Sequence, residues 1–349
     1  MISGRMTMVT IKELAKRLNL STTTVSNVIH GKTKEVSVAT IERVQKALEE
    51  YEYVPNINAR NLAQNKSKII GVAMKGRADK TPNLFKDPFI AELIGGIEKV
   101  VRNSGYFMML YASDDLGEIM KQVSTWNVDG LIAFGIREED REKVRERYKK
   151  PIVCIDGYLC GDHPGMVDIG LTDEDGTYEA VKYLIDMGHR KIAFLSDSVG
   201  SVDSARLKGF QRALKDAGID YRDEDFVRLN PWKDQIEESL KNICDRLDQY
   251  TAVFCVSDLY AVTLIAALVD AGKRVPEDIS VIGFDDNMLA KLRRPGLTTV
   301  HQETEKKGII ATETLIKMLN GESVPAQVIL ETELVIRDTV RDIREDSEA

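Results

Sequence analysis

Over the first fifty positions, apolar residues recur every three or four places, the spacing of one face of a helix. Leu14, Ala15 and Leu18 form a first stripe, Val25, Val28 and Ile29 a second, and Ile41, Val44, Ala47 and Leu48 a third. A capping residue precedes each stripe: Thr10, Ser21 and Ser37. Such side chains accept from the backbone N–H groups that a helix start leaves open. Thr10 and Glu13 have the spacing of a capping box, and Gly31 is a stop for the second helix. Leu18–Ser21 has the length of the turn in a helix-turn-helix, and Asn19 tolerates a left-handed backbone there.

Pro55 breaks this pattern, Asn56 can cap one further short helix, and 64–68 read as a polar linker. From Ile69 the period changes. Short apolar runs alternate with helical stretches: IIGVAM, then 88–104; YFMMLYA, then 115–126; GLIAFG, then 138–149; PIVCID. After about residue 170 the rhythm restarts: a helix over 174–188; KIAFLSD, then 203–217; DFVRLN, then 233–247; AVFCVSD, then 258–272; ISVIGFDD. Strand–helix alternation predicts parallel sheets covered on both faces, and two runs of it predict two α/β lobes.

Composition adds little until it is divided. The whole chain of 349 residues has a formal charge of −8, which argues against a nucleic-acid partner. Residues 1–64, however, hold nine Lys/Arg against six Asp/Glu, a local surplus of +3. Phosphate attraction follows local charge rather than the total. Of the four cysteines, Cys154 and Cys255 sit in apolar runs and read as buried thiols, and no C-x-x-C pair suggests zinc. No run is long enough to span a membrane, and the opening residues lack the apolar stretch of a secretory signal, so a cytoplasmic location is expected. Phosphate-loop, dinucleotide, zincin and nucleophile-elbow motifs are absent, and the histidines are scattered. No catalytic residue, metal or cofactor is expected. His189, after Met187-Gly188, reads as a cation at a helix C-terminus, and Asp114-Asp115 as helix-start chemistry.

The run TIKELAKRLNLSTTTVSNVIHGK, followed by YVPNINARNLA, resembles the headpiece of the lactose/galactose repressor family, closest to its purine-responsive members. PFIAELIGGIE, MGHRKIAFL, SARLKGF, TAVFCVSD, VPEDISVIGFDD and LTTVHQ resemble that family's periplasmic-binding-protein-like core. The resemblance spans about residues 8–340. It implies an all-α helix-turn-helix headpiece over 8–54 and a hinge helix and linker over 55–68. A doubly wound parallel α/β core follows over 69–340. Its first lobe would hold about 69–170 and 301–330, and its second about 171–300 and 331–345. It further implies a homodimeric repressor on palindromic operator DNA, controlled by a small-molecule effector.

Residue by residue, the resemblance places Thr22, Thr23 and Asn27 against base edges in the major groove. Asn27 stands where purine-responsive members carry histidine, so a different operator is expected. Leu62 matches the leucine wedged into the minor groove, supported by Asn58 and Arg60. In the core, Arg206 and Asp285 match the arginine and acid that hold the effector, with Asp87, Phe89, Asp156 and Trp232 as further candidates. Val202 replaces a threonine of purine-responsive members, which favours a sugar over a purine or nucleoside. Two other classes fit the sequence less well. A solute-binding protein is opposed by the headpiece pattern, and an enzyme on a doubly wound fold by the missing motifs.

Overall fold

The computed structural model describes residues 9–29, 31–53, 66–76, 83–136, 138–159, 163–230 and 236–344. The chain divides into two compact units, Met1–Asn65 and Lys66–Ala349.

The first unit is built from α1 (Ile11–Leu18), α2 (Thr22–Ile29) and α3 (Val38–Glu50). Thr10 accepts from the Glu13 N–H while the Glu13 carboxylate accepts from the Thr10 N–H at 2.8 Å, closing the capping box. Asn19 turns left-handed at φ 52. Ser21 Oγ accepts from the Thr24 N–H at 2.9 Å, and Ser37 Oγ from the Thr40 N–H at 3.3 Å. Leu14, Ala15, Val25, Val28, Val44 and Ala47 form the buried core. Arg43 donates to the Leu18 carbonyl at 2.9 Å and ties α3 to the turn after α1.

The second unit begins with β1 (Ile69–Lys75), α4 (Pro88–Asn103), β2 (Phe107–Ser113), α5 (Leu116–Thr125), β3 (Gly130–Phe134), α6 (Arg141–Arg147), β4 (Ile152–Ile155) and β5 (Met166–Leu171). It continues with α7 (Asp173–Asp186), β6 (Ile192–Ser196), α8 (Val202–Asp216), β7 (Phe226–Arg228), α9 (Ile236–Cys244), β8 (Ala252–Cys255) and α10 (Asp258–Asp270). Then come β9 (Ser280–Asp285), α11 (Met288–Leu292), β10 (Thr298–His301), α12 (Thr304–Leu319), β11 (Gln327–Leu330) and β12 (Glu333–Val335). Two six-stranded sheets result, ordered β11-β5-β4-β3-β1-β2 and β12-β10-β9-β8-β6-β7. All pairings are parallel except that of β12 with β10. The inner strands are mostly apolar because helices cover both faces of each sheet. No helix among the described residues is long and apolar enough to cross a membrane.

The chain passes between the lobes three times: from β5 to α7, from β10 to α12, and from β11 to β12. The hydroxyls of Thr172 and Thr332, on the first and third passages, meet at 3.0 Å.

Several expectations need correction. The helix expected over 138–149 is shorter and preceded by a 3-10 turn, and the one expected to run to 247 gives way to a 3-10 turn after Cys244. The rhythm did not reveal β5 or the elements after β9. Asp168 interrupts β5, and on α12 Thr304, Lys307, Thr312 and Thr314 are buried among the apolar positions. His189 is not a cation. Its ring is buried, sits 2.9 Å from the Thr251 hydroxyl and 3.1 Å from the Arg341 carbonyl, and burial pushes its pKa down to about 4. Asp115 does cap α5, accepting from the Gly117 N–H at 2.6 Å, and Cys154, Cys244 and Cys255 are buried free thiols.

Candidate functional site

On α2, the three consecutive threonines divide their work. The Thr24 hydroxyl turns back to Ser21 Oγ at 2.8 Å and joins the cap. Thr22 and Thr23 stay exposed, and Asn27, one turn on, is half-buried. Val25 and Val28 face the core. One helix therefore presents hydroxyl and amide groups outward from a rigid support, as a base-reading helix requires. Asn58, Arg60 and Leu62 lie outside the described residues.

In the core, the candidate effector residues converge where the chain crosses between lobes. Asp156 follows β4, and Asp285 ends β9. These are carboxyl ends of parallel strands, where open α/β sheets bind ligands. The backbone is strained at both, with φ 52 at Asp156 and φ 120 at Asp285. Such conformations cost about 1–3 kcal/mol each and cluster at functional sites.

Two polar chains cross the lobes. In one, Lys307, fully buried, places its ammonium 3.0 Å from each Asp156 oxygen and 3.0 Å from Gln302 Oε1. Gln302 Nε2 then donates to Asp285 Oδ1 at 2.6 Å. In the other, the Tyr158 hydroxyl donates to Asp173 Oδ2 at 2.6 Å, and Asp173 Oδ1 accepts from Arg206 Nε at 2.9 Å and Nη2 at 2.8 Å. Arg206 Nη1 donates to the Val256 carbonyl, and the guanidinium stacks 3.5 Å from the Phe284 ring centroid.

The electrostatics follow from burial. Asp285 is pushed up to about 7 by desolvation, and Arg206 nearby draws it down. Desolvation likewise raises Asp156, opposed by Lys307. Burial alone would weaken the Arg206 cation, but Asp173 and Asp285 outweigh it and hold its pKa above the ordinary value.

The structure thus gathers Asp156, Arg206 and Asp285 into one region. Phe89 lines its lobe-1 side, 5.7 Å from the Lys307 ammonium. Asp87 caps α4, accepting from the Phe89 N–H at 3.1 Å, and its charge reaches Asp285. Trp232 lies outside the described residues. Asp173, Tyr158, Lys307 and Gln302 were not foreseen. Asp173 hides in an acidic helix start, and Lys307 in a charged run that reads as solvated surface. The direct partner of Arg206 is Asp173.

A helix-turn-helix unit and a two-lobed α/β core with buried charge between its lobes, in one chain, define a ligand-responsive DNA-binding regulator. The pattern of bacterial regulatory proteins of the lacI family matches residues 10–56, and that of a periplasmic binding protein-like domain matches 181–340. The HTH-type transcriptional repressor PurR of Vibrio vulnificus (strain CMCP6) is 36% identical over 348 residues, covering 96% of this chain and 100% of that one. The chain belongs to the lacI family and is a DNA-binding transcriptional repressor with a ligand-binding core. Among solved structures, the lac repressor dimer bound to operator and the anti-inducer ONPF superposes with TM-score 0.80 at 24% identity, covering 96% of this chain and 100% of that chain. A complex of the transcriptional regulator CelR with cellobiose gives 0.69 at 26% identity, covering 95% and 99%.

Proposed function

We propose that the chain represses transcription as a homodimer on a two-fold operator, and that a sugar bound between the core lobes sets its operator affinity. The buried polar network between the lobes carries this reading, because groups from both lobes meet there. A ligand that alters the network alters the lobe arrangement, and linkage makes ligand and operator affinities interdependent. Thr22, Thr23 and Asn27 read bases, while Asn58, Arg60 and Leu62 engage the operator centre. Arg206 and Asp285 hold the effector, with Asp87, Phe89, Asp156 and Trp232 around it. In functional terms, 8–54 form the headpiece, 55–68 the hinge and linker, and 69–340 the core. The protein works in the cytoplasm and performs no catalysis.

The cellobiose held by the CelR relative supports a sugar. A purine or nucleoside is the second reading, favoured by the PurR relatives. Operator selection from random DNA, followed by titration with and without candidate effectors, tests the proposal. Asn27→Ala should lose roughly 1–3 kcal/mol at one symmetric pair of positions. Arg206→Ala should bind operator without effector yet ignore the effector. An unchanged selected motif, or an unchanged effector response, removes the corresponding residue from its role.

A further inference from the structure

We propose that the inter-lobe site takes an effector bearing no negative charge, a neutral or cationic compound, and rejects its phosphorylated or carboxylated counterpart. This rests on the reading that the effector binds between the lobes, and it narrows the chemistry of that effector.

Five ionisable side chains are buried there together: Asp156, Asp173 and Asp285 against Arg206 and Lys307. With Asp285 ionised, above about pH 7, three carboxylates face two cations, leaving one negative charge in surplus. The surroundings deepen the imbalance. The charges of Asp87 and Asp258 act on Asp285, and that of Asp203 acts on Arg206. Asp286 is answered separately by Arg337 at 2.5 Å.

Neither cation offers its charge freely to an anionic guest, because each is already paired with a buried carboxylate. An ammonium has three N–H donors. Those of Lys307 meet the two Asp156 oxygens and Gln302. Arg206 commits Nε and one N–H of Nη2 to Asp173, one N–H of Nη1 to Val256, and one face to Phe284. Two N–H groups remain. An anion could claim the whole guanidinium only by displacing Asp173, which would leave that carboxylate buried and unpaired. Asp285 Oδ2 accepts no hydrogen bond among the described residues, while Oδ1 accepts from Gln302. Spare donors on Arg206 and a spare acceptor on Asp285, near enough for their charges to interact, complement a hydroxyl, or an N–H next to a carbonyl. Desolvation chiefly pushes Asp285 up to about 7, and the charge of Asp87 adds to that rise.

The test is a thermal-shift and calorimetric titration of the full chain at pH 8 with matched compounds. The panel is glucose, cellobiose, glucosamine, glucose 6-phosphate, glucuronate, guanine and guanosine monophosphate. A neutral or cationic member should stabilise the protein and bind about a hundredfold more tightly than its anionic counterpart. An anionic member that binds as well as its parent overturns the proposal, as does a panel in which no neutral or cationic member stabilises. Guanine binding without any sugar binding removes the sugar reading and keeps the charge rule. Tight binding of glucose 6-phosphate does the reverse. In Asp285→Asn the surplus charge disappears, and the ratio of neutral to anionic affinity should fall at least about tenfold. Because the ratio compares two ligands on one variant, lost stability does not disturb it; an unchanged ratio also overturns the proposal.

Discussion

The two core lobes share one frame and use it differently. Numbered within each lobe, both sheets run in the strand order 6-5-4-3-1-2. In both, the first helix after the first strand packs on a helix that follows a passage between lobes: α4 on α12, and α8 on α7. In both, glycine lets the helices touch. A Cβ on Gly96 would collide with the Glu305 carbonyl, and one on Gly209 with the Glu174 carbonyl. Three residues before these glycines stand Leu93 in lobe 1 and Arg206 in lobe 2, both buried. Three residues before the glycines of the partner helices, Gly308 and Gly176, stand exposed Glu305 and buried Asp173. Matched positions thus hold a buried leucine and an exposed glutamate in one lobe and a buried ion pair in the other. Shared geometry supplies the fold, and a few exchanged side chains supply the site.

The sharpest way to break this comparison is at the residues just before Gly308 and Gly176. Lys307→Ala should cost about 3–5 kcal/mol in denaturant unfolding, because Asp156 is left buried without its cation. The matched change Asp175→Ala removes only an exposed pair with Arg212 and should stay within about 0.5 kcal/mol. Equal losses would show that burial does not distinguish the two positions.

A second contrast lies beyond the helix ends, where Gly188 leads to buried His189 and Gly321 to exposed Glu322. Folding lowers the His189 pKa to about 4 from 6.5. Between those values the unfolded chain binds more protons, so this contribution is intact above pH 6.5 and lost as pH falls to 4. The full loss is about 3 kcal/mol. Asp285, raised to about 7, acts with the opposite sign over the same range. Unfolding at pH 7 and pH 5 should therefore be compared between the wild type and His189→Gln. The variant should lose less stability on acidification; identical slopes would mean that His189 titrates normally.

Sharing of the frame itself is tested by Gly96→Ala and Gly209→Ala. Each should destabilise by roughly 1–3 kcal/mol and by similar amounts, since each Cβ meets backbone rather than a movable side chain. A loss in one lobe alone would end the equivalence. The smallest effect concerns the starts of the same helices. Asp87 caps α4 through its side chain, whereas Ser201, before α8, makes no side-chain cap. Asp87→Ala should cost about 1 kcal/mol and Ser201→Ala under about 0.5 by thermal unfolding.

The headpiece was legible nearly to the residue because its devices are local: Thr10, Asn19, Ser21 and Ser37 act on neighbours in the chain. The alternating lobes were legible because a parallel sheet demands apolar strands. Arg206, Asp285 and Asp156 came from the resemblance rather than from any period. Lys307 was illegible because nothing near it in sequence explains its burial; its partner Asp156 is 151 positions away. The same distance effect misled the reading of His189, whose acceptor is the carbonyl of Arg341.

The three passages between the lobes also bear on how the chain is made. Lobe 1 lacks its edge strand β11 and the helix α12 that covers α4 until residues beyond 300 have been synthesised. At about 5–20 residues per second, the apolar face of α4 waits on the order of tens of seconds on the ribosome for its cover. The three helices of α1–α3 need nothing downstream for their core. A chain whose translation stops early therefore carries a finished helix-turn-helix ahead of an unfinished sensor, and nascent core segments are where chaperone demand should concentrate.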